Sequence, residues 1–103
     1  MANQYFVNPI RLDTVMASSW KTQIATVLGT FYDLRVEKVL WETPVTVGDH
    51  AIFTDPQNGN VLVTLACDTA NVSQCLDWSA KPKRWQDFIL SHIDSGIVWL
   101  YVV

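Results

Sequence analysis

The residues of this chain whose types could carry chemistry are His50 and His92, Cys67 and Cys75, a scatter of loop aspartates, and a basic run beside a tryptophan. Two histidines at strand positions, far apart in sequence, fall short of the three or four ligands that a zinc centre takes. They are expected as surface histidines or as satisfied core ones. Cys67 and Cys75 match neither a zinc nor a redox spacing. If residues 61–67 pair with 73–78 across a turn near Asn71, the two cysteines fall opposite one another, and a cross-strand disulfide is geometrically open. The competing reading keeps both as small apolar side chains in a reducing compartment. Neither cysteine sits in a recognisable nucleophile setting, and no Gly-x-Ser-x-Gly or phosphate-cradling loop occurs.

Asp49, Asp55, Asp68 and Asp77 fall between residues 49 and 77, and loop aspartates can bind calcium. The run Asp55-Pro56-Gln57-Asn58-Gly59-Asn60 lacks the alternating carboxylates and distal glutamate of a helix-loop-helix calcium site. Turn chemistry accounts for the same residues. No enzyme activity, metal or cofactor is expected.

Lys81, Lys83 and Arg84 form the one dense basic cluster, with Trp85 beside it. Three readings stand: a grip on nucleic acid, where Arg and aromatic groups hold phosphate and base; docking on an acidic protein surface; or a solvated, proline-stiffened loop whose Trp folds back over the core. The net charge of −3 and pI near 5.0 argue against nucleic acid, whose binders carry a basic footprint. The partner-docking set is therefore Lys81, Lys83, Arg84, Trp85 and Trp78. Trp78 and Trp85, flanking the basic run, are also the exposed aromatic candidates for a sugar platform, whereas Trp41 and Trp99 sit within strands and read as core.

The elements that must position these groups are strands. Two β-prone runs, His50–Thr54 and Val61–Cys67, flank Asp55–Asn60. Asn-Gly between such runs signals a hairpin, because both residues accept the positive φ of tight turns. Apolar residues on both faces of the second run predict a place inside a sheet. Ile10–Met16 alternates as a half-buried strand, and Asn8-Pro9 before it marks an edge or a connecting arm. Residues 21–29 are ambiguous: Ser18 or Ser19 could cap a short helix ended by Gly29, while Thr, Ile and Val favour extended chain; loop or strand is preferred. Leu34 and Val36 share one face while Val39 and Trp41 share the other parity, so a bulge at Glu37–Lys38 is needed to align them. Gln74–Trp78 is a further short strand. Phe88–Ile93 and Ile97–Val103 flank Asp94-Ser95-Gly96 and read as a second hairpin, its last strand apolar enough to require a central or clamped position.

About seven or eight short strands with closely spaced turns predict a single all-β domain over residues 1–103. Its form is an antiparallel β-sandwich or flattened barrel, with 1–9 as an extended arm. The 103 residues are 50% apolar and only 17% charged, with five Trp, so apolar surface should remain for a partner. No apolar run is long enough to span a membrane, and the N-terminus has no secretion-signal pattern, so cytoplasmic assembly is expected.

Val39-Leu40-Trp41, Pro44, Gly48-Asp49, Asp55 with Asn58-Gly59-Asn60-Val61-Leu62, Pro82-Lys83-Arg84-Trp85 with Phe88, and Asp94-Ser95-Gly96 leading to Tyr101 occur in this order. Over residues 34–103 the pattern resembles small structural proteins found among the virion genes of tailed bacteriophages. The resemblance implies a virion component present in many copies: a head decoration protein, a head-fibre base or a tail-associated protein. It supplies no catalytic residue. The expected partners are copies of the chain itself, through Tyr5, Phe6, Trp99 and Tyr101, and other virion proteins, the major capsid protein first. The alternative function is a carbohydrate- or receptor-binding module.

Overall fold

Alternating apolar residues and turn formers resolve into eight strands and one short helix in a computed structural model that describes residues 3–5, 7–24 and 34–103. They are β1 (Ile10–Leu12), α1 (Trp20–Ile24), β2 (Leu34–Glu42), β3 (His50–Thr54), β4 (Val61–Ala66), β5 (Gln74–Asp77), β6 (Lys83–Trp85), β7 (Ile89–Ile93) and β8 (Ile97–Val102). One antiparallel sheet has the order β1-β8-β2-β5, with β6 also on β2; the other has the order β4-β3-β7. One apolar core, with Trp41, Val39, Leu100 and Val98 from the first sheet and Phe53, Leu65 and Leu90 from the second, lies between them. The fold is an all-β sandwich.

The register of β2 on β8 shifts between Val36 and Lys38, as the parity of its apolar residues requires. The extra residue puts Leu34, Val36, Val39 and Trp41 all on the buried face. β5 and β6 lie end to end along the other side of β2, Lys38 opposite Asp77 and Val36 opposite Lys83. The five residues Trp78–Pro82 are thus an excursion from one interrupted edge strand, held where Trp78 N–H donates to Glu37 O at 2.7 Å. β8 is central, between β1 and β2, so its apolar length is covered.

Three expectations are corrected. Residues 88–93 and 97–103 do not pair: β7 joins β3, β8 joins β1 and β2, and Asp94-Ser95-Gly96 is the corner between the sheets. β4 is an edge strand and not an interior one. Its inward Val63 and Leu65 fill the core, while Val61 remains 59% exposed. The stretch beginning at Lys21 opens in a helix: Ser19 O accepts Gln23 N–H at 3.0 Å, Ser19 Oγ accepts Thr22 N–H at 3.4 Å, and Trp20 and Ile24 bury one face. Residues 25–29 of that stretch, and Phe6 of the arm, lie outside the described residues.

Three connections meet at one end of the sandwich: Thr43–Asp49, Cys67–Ser73 and the 94–96 corner. Trp41, fully buried, donates its indole N–H to Ser95 O at 2.9 Å. Ser95 Oγ accepts Val45 N–H at 2.9 Å and donates to Asp49 Oδ2. Asn71 N–H reaches Pro44 O at 2.7 Å, and Ser73 Oγ holds Thr43 N–H at 3.0 Å where Thr43 takes a φ of +45°. Gly96 is dictated twice. Its φ is +75°, and a Cβ there would stand 2.6 Å from Glu42 O and 2.9 Å from Trp41 Nε1. Gly59, at φ +73°, has open space around it. Gly96→Ala is therefore expected to cost about 2–3 kcal/mol, strain and clash together, and Gly59→Ala about 1 kcal/mol from φ alone. Thermal unfolding of the two variants checks this; equal losses would contradict the clash.

Candidate interaction site at the open side of the sandwich

The two sheets present two sides, and one is closed by the chain itself. Residues after β1 pass along β7, where Met16 N–H donates to Leu90 O at 3.0 Å and Trp20 N–H to Phe88 O at 2.8 Å. On the same side Gln4 and Arg11 exchange both backbone hydrogen bonds, at 2.8 and 3.0 Å, along the free edge of β1. Tyr5 packs against the core from this arm. The Asn8 side chain extends the β1–β8 pairing, donating to Val102 O at 2.8 Å and accepting its N–H at 3.1 Å.

β4 and the interrupted strand β5/β6 border the opposite side. They are tied at one end, where the Gln74 side-chain amide donates to Ala66 O. At the other end Asp55, Leu62, Arg84, Trp85, Gln86 and Asp87 line a hollow of about 290 Å³. The expected docking residues all fall here, but they divide by role. Trp85 is not exposed: it is buried against Phe53 and Phe88, each ring 5.6 Å away. Trp78 is half-buried, edge-on to Trp85 at 6.4 Å, with Lys83 Nζ 5.8 Å from its ring. Perpendicular rings, one of them inside the core, make no flat sugar platform. Lys81, Lys83 and Arg84 are exposed, and Arg84 stands directly opposite Arg35 on β2. Trp85 thus anchors a cationic segment whose polar ends face outward.

The polar groups near this surface are engaged. Asp87 Oδ1 accepts Lys21 N–H at 2.9 Å and Phe88 N–H at 2.8 Å. Asp55 Oδ1 accepts Gln57 N–H at 2.9 Å and so shapes the hairpin loop. Cys67 and Cys75 are free thiols, Cys67 buried and Cys75 exposed. The pairing that would have aligned them is absent, because β4 joins β3 in one sheet and β5 joins β2 in the other. Trp99 and Tyr101 lie on the outer face of the larger sheet under cations: Arg11 sits 5.9 Å from the Trp99 ring and Lys38 Nζ 5.3 Å from that of Tyr101.

Sequence reasoning passed over one cluster. His92 Nε2 lies 2.8 Å from Asp94 Oδ1, while Asp94 Oδ2 accepts His50 N–H at 2.8 Å. The available signal was Asp94 itself, an acidic residue two positions after His92 at the end of a strand. The His50 N–H, then the His92 side chain, hold the Asp94 carboxyl below its usual 3.8. Asp77 is lowered likewise, first by Ser79 N–H. No group of three metal-ligating side chains occurs among the described residues, and no helix among them is long and apolar enough to cross a membrane. A second, apolar hollow of about 450 Å³ lies between Tyr5, Trp20, Ile24, Leu34 and Val102. The Trp20 indole N–H beside it has no acceptor among the described residues.

No protein-family model matches the chain, and no curated protein or solved structure is significantly similar to it.

Two outcomes follow from this geometry. Trp85→Ala should cost about 3–5 kcal/mol as a core deletion, whereas Lys81→Ala should change stability by less than about 0.5 kcal/mol; denaturant unfolding reads both. Because Asp94 is depressed in the folded state, its stabilisation is complete above the unfolded value of about 3.9 and is lost as pH falls through the lower folded value. Asp94→Asn should therefore melt below the parent at pH 7, and the gap should close through that acid range. A gap independent of pH would contradict the hydrogen-bonded carboxylate.

Proposed function

We propose that the protein is a non-enzymatic structural subunit of a tailed-bacteriophage virion. In this reading it is a capsid decoration or head-associated protein that assembles with copies of itself and docks on other particle proteins, the major capsid protein among them. The observation that carries the reading is the division of labour among its polar groups. Asp49, Ser95, Asp94 and Asp87 hold corners and strand ends. The open side instead presents a cationic segment fixed by a buried Trp and an uncharged strand edge. Rigid, anchored cations beside apolar strand surface suit contacts with acidic protein surfaces. The resemblance over residues 34–103 supplies the particle setting.

Mass spectrometry of density-purified particles from the host that carries the gene tests the proposal. The chain should band with the particles, in numbers comparable with the capsid protein, and Lys81→Glu/Lys83→Glu should reduce its occupancy. Its absence from particles that are otherwise complete would overturn the virion assignment.

A further inference from the structure

Sheet edges present unpaired backbone groups, and folded proteins block them. Here three of the four edges carry such a block. The arm at Gln4 covers β1, the Met16–Trp20 segment covers β7, and the β5/β6 edge is broken by the Trp78–Pro82 excursion, with Lys81 and Pro82 in it and Lys83 just after it. β4 has no chain segment laid along it among the described residues; its register on β3 shifts at Leu62 and the Gln74 amide caps it at Ala66, which leaves the stretch between them open. Its sequence, Val-Leu-Val-Thr-Leu-Ala, has no charge, no proline and no glycine. Cys67 N–H donates to Asp49 O at 2.8 Å, and alternation from that bond turns the N–H groups of Val63 and Leu65 toward β3. The backbone groups of Thr64 and Ala66 then point away from the sheet, in accord with the Gln74 amide reaching Ala66 O from outside.

Charge is laid out lengthwise beside this edge. Residues 39–80 contain Glu42, Asp49, Asp55, Asp68 and Asp77 and no Lys or Arg. Glu42, Asp49, Asp68 and Asp94 gather where the three connections meet, next to the C-terminal end of β4. Arg35, Lys81, Lys83 and Arg84 lie toward the other end, on β6, the excursion before it and the part of β2 beside it, and outnumber Asp55 and Asp87 there. An antiparallel pairing of two β4 strands about a two-fold axis sets the acidic end of each copy beside the cationic end of the other. A parallel pairing sets acid against acid.

We infer that β4 is the pairing edge for β4 of a second copy of this chain, joining two three-stranded sheets into one six-stranded antiparallel sheet. The inference rests on the reading of the chain as a self-assembling subunit and names the surface through which two copies meet. The contact is isologous, as closed homodimers require. It satisfies the Thr64 backbone groups and covers Val61, while the charged ends fix direction.

Sedimentation of the purified full chain over a concentration series, with amide hydrogen exchange, tests it. The parent should be dimeric, with the Thr64 amide protected in the dimer and exchanging in the diluted monomer. Thr64→Pro removes an outward donor without touching the bonds to β3, and Val61→Lys/Thr64→Lys places charge on the edge. Each should raise the dissociation constant by at least about tenfold, and the double-lysine variant serves if the proline variant fails to fold. Lys81→Glu/Lys83→Glu should weaken the dimer, and raising salt from 0.1 M to about 1 M should do the same as screening shortens. A parent that stays monomeric throughout overturns the inference. An oligomer that persists in folded edge variants, with Thr64 unprotected, overturns β4 pairing and leaves self-assembly through another surface standing. A chain that is monomeric and also absent from particles removes the broader reading as well.

Discussion

The hydrogen bond from the buried Trp41 indole to Ser95 O is the constraint on which this sandwich turns. An indole N–H taken out of water must find an acceptor, and the one it finds is the carbonyl of the corner that carries the chain from the second sheet to the first. Ser95, so placed, holds Val45 and Asp49 of the connection running the other way. Two crossings between sheets are thereby fastened to one another over a side chain that both sheets bury. Gly96 follows from this closeness, since no other residue leaves room for Glu42 O and the indole nitrogen.

The opposite end adds packed rings to its hydrogen bonds. Trp20 stacks on Phe88, Phe88 meets Phe53 and Trp85, and Trp85 meets Trp78, forming a chain of aromatic contacts from the helix to the open side. Such packing is strong and sets how the rings meet, but it asks for no particular polar partner. It fixes where the cationic segment sits while leaving its outward atoms unspecialised. The two ends differ in kind: one is polar, acidic and geometrically exacting, the other apolar inside and cationic outside.

This difference explains what could be read from residues alone. The bulge at Glu37–Lys38 was legible because parity along a strand is a local rule, and four apolar residues must share a face. The 50–67 hairpin was legible from Asn58-Gly59, and the central place of β8 from its unbroken apolar run. The 94–96 corner misleads because Asp-Ser-Gly between β runs has the same composition whether it closes a hairpin or crosses between sheets; only Trp41, more than fifty residues earlier, decides. Residues 20–24 mislead through their β-branched content, which a serine cap and two buried anchors outweigh. Trp85 read either as an exposed docking residue or as a cover over the core, and it is the second: it packs on Phe53 and Phe88 while Arg84 beside it faces out. The basic run was visible as composition; which of its members face out was not.

β4 shows why edges are harder to read than cores. Apolar residues on both faces usually mean an interior strand, since water is excluded from both sides. In β4 the inward residues are buried by its own core, and the outward ones are left beside Asp55, Asp68 and a cationic edge. An interior pattern on an edge strand is a mismatch between sequence and monomer. Either the exposed face is tolerated at the cost of an aggregation hazard, or the strand is interior in an assembly that the single chain does not contain. The other three edges argue for the second alternative. A fold that lays an arm along β1, a loop along β7 and a charged excursion along β5/β6 has laid chain or charge on every edge but one, and the edge it leaves with only a register shift and one amide cap is the one whose sequence reads as covered.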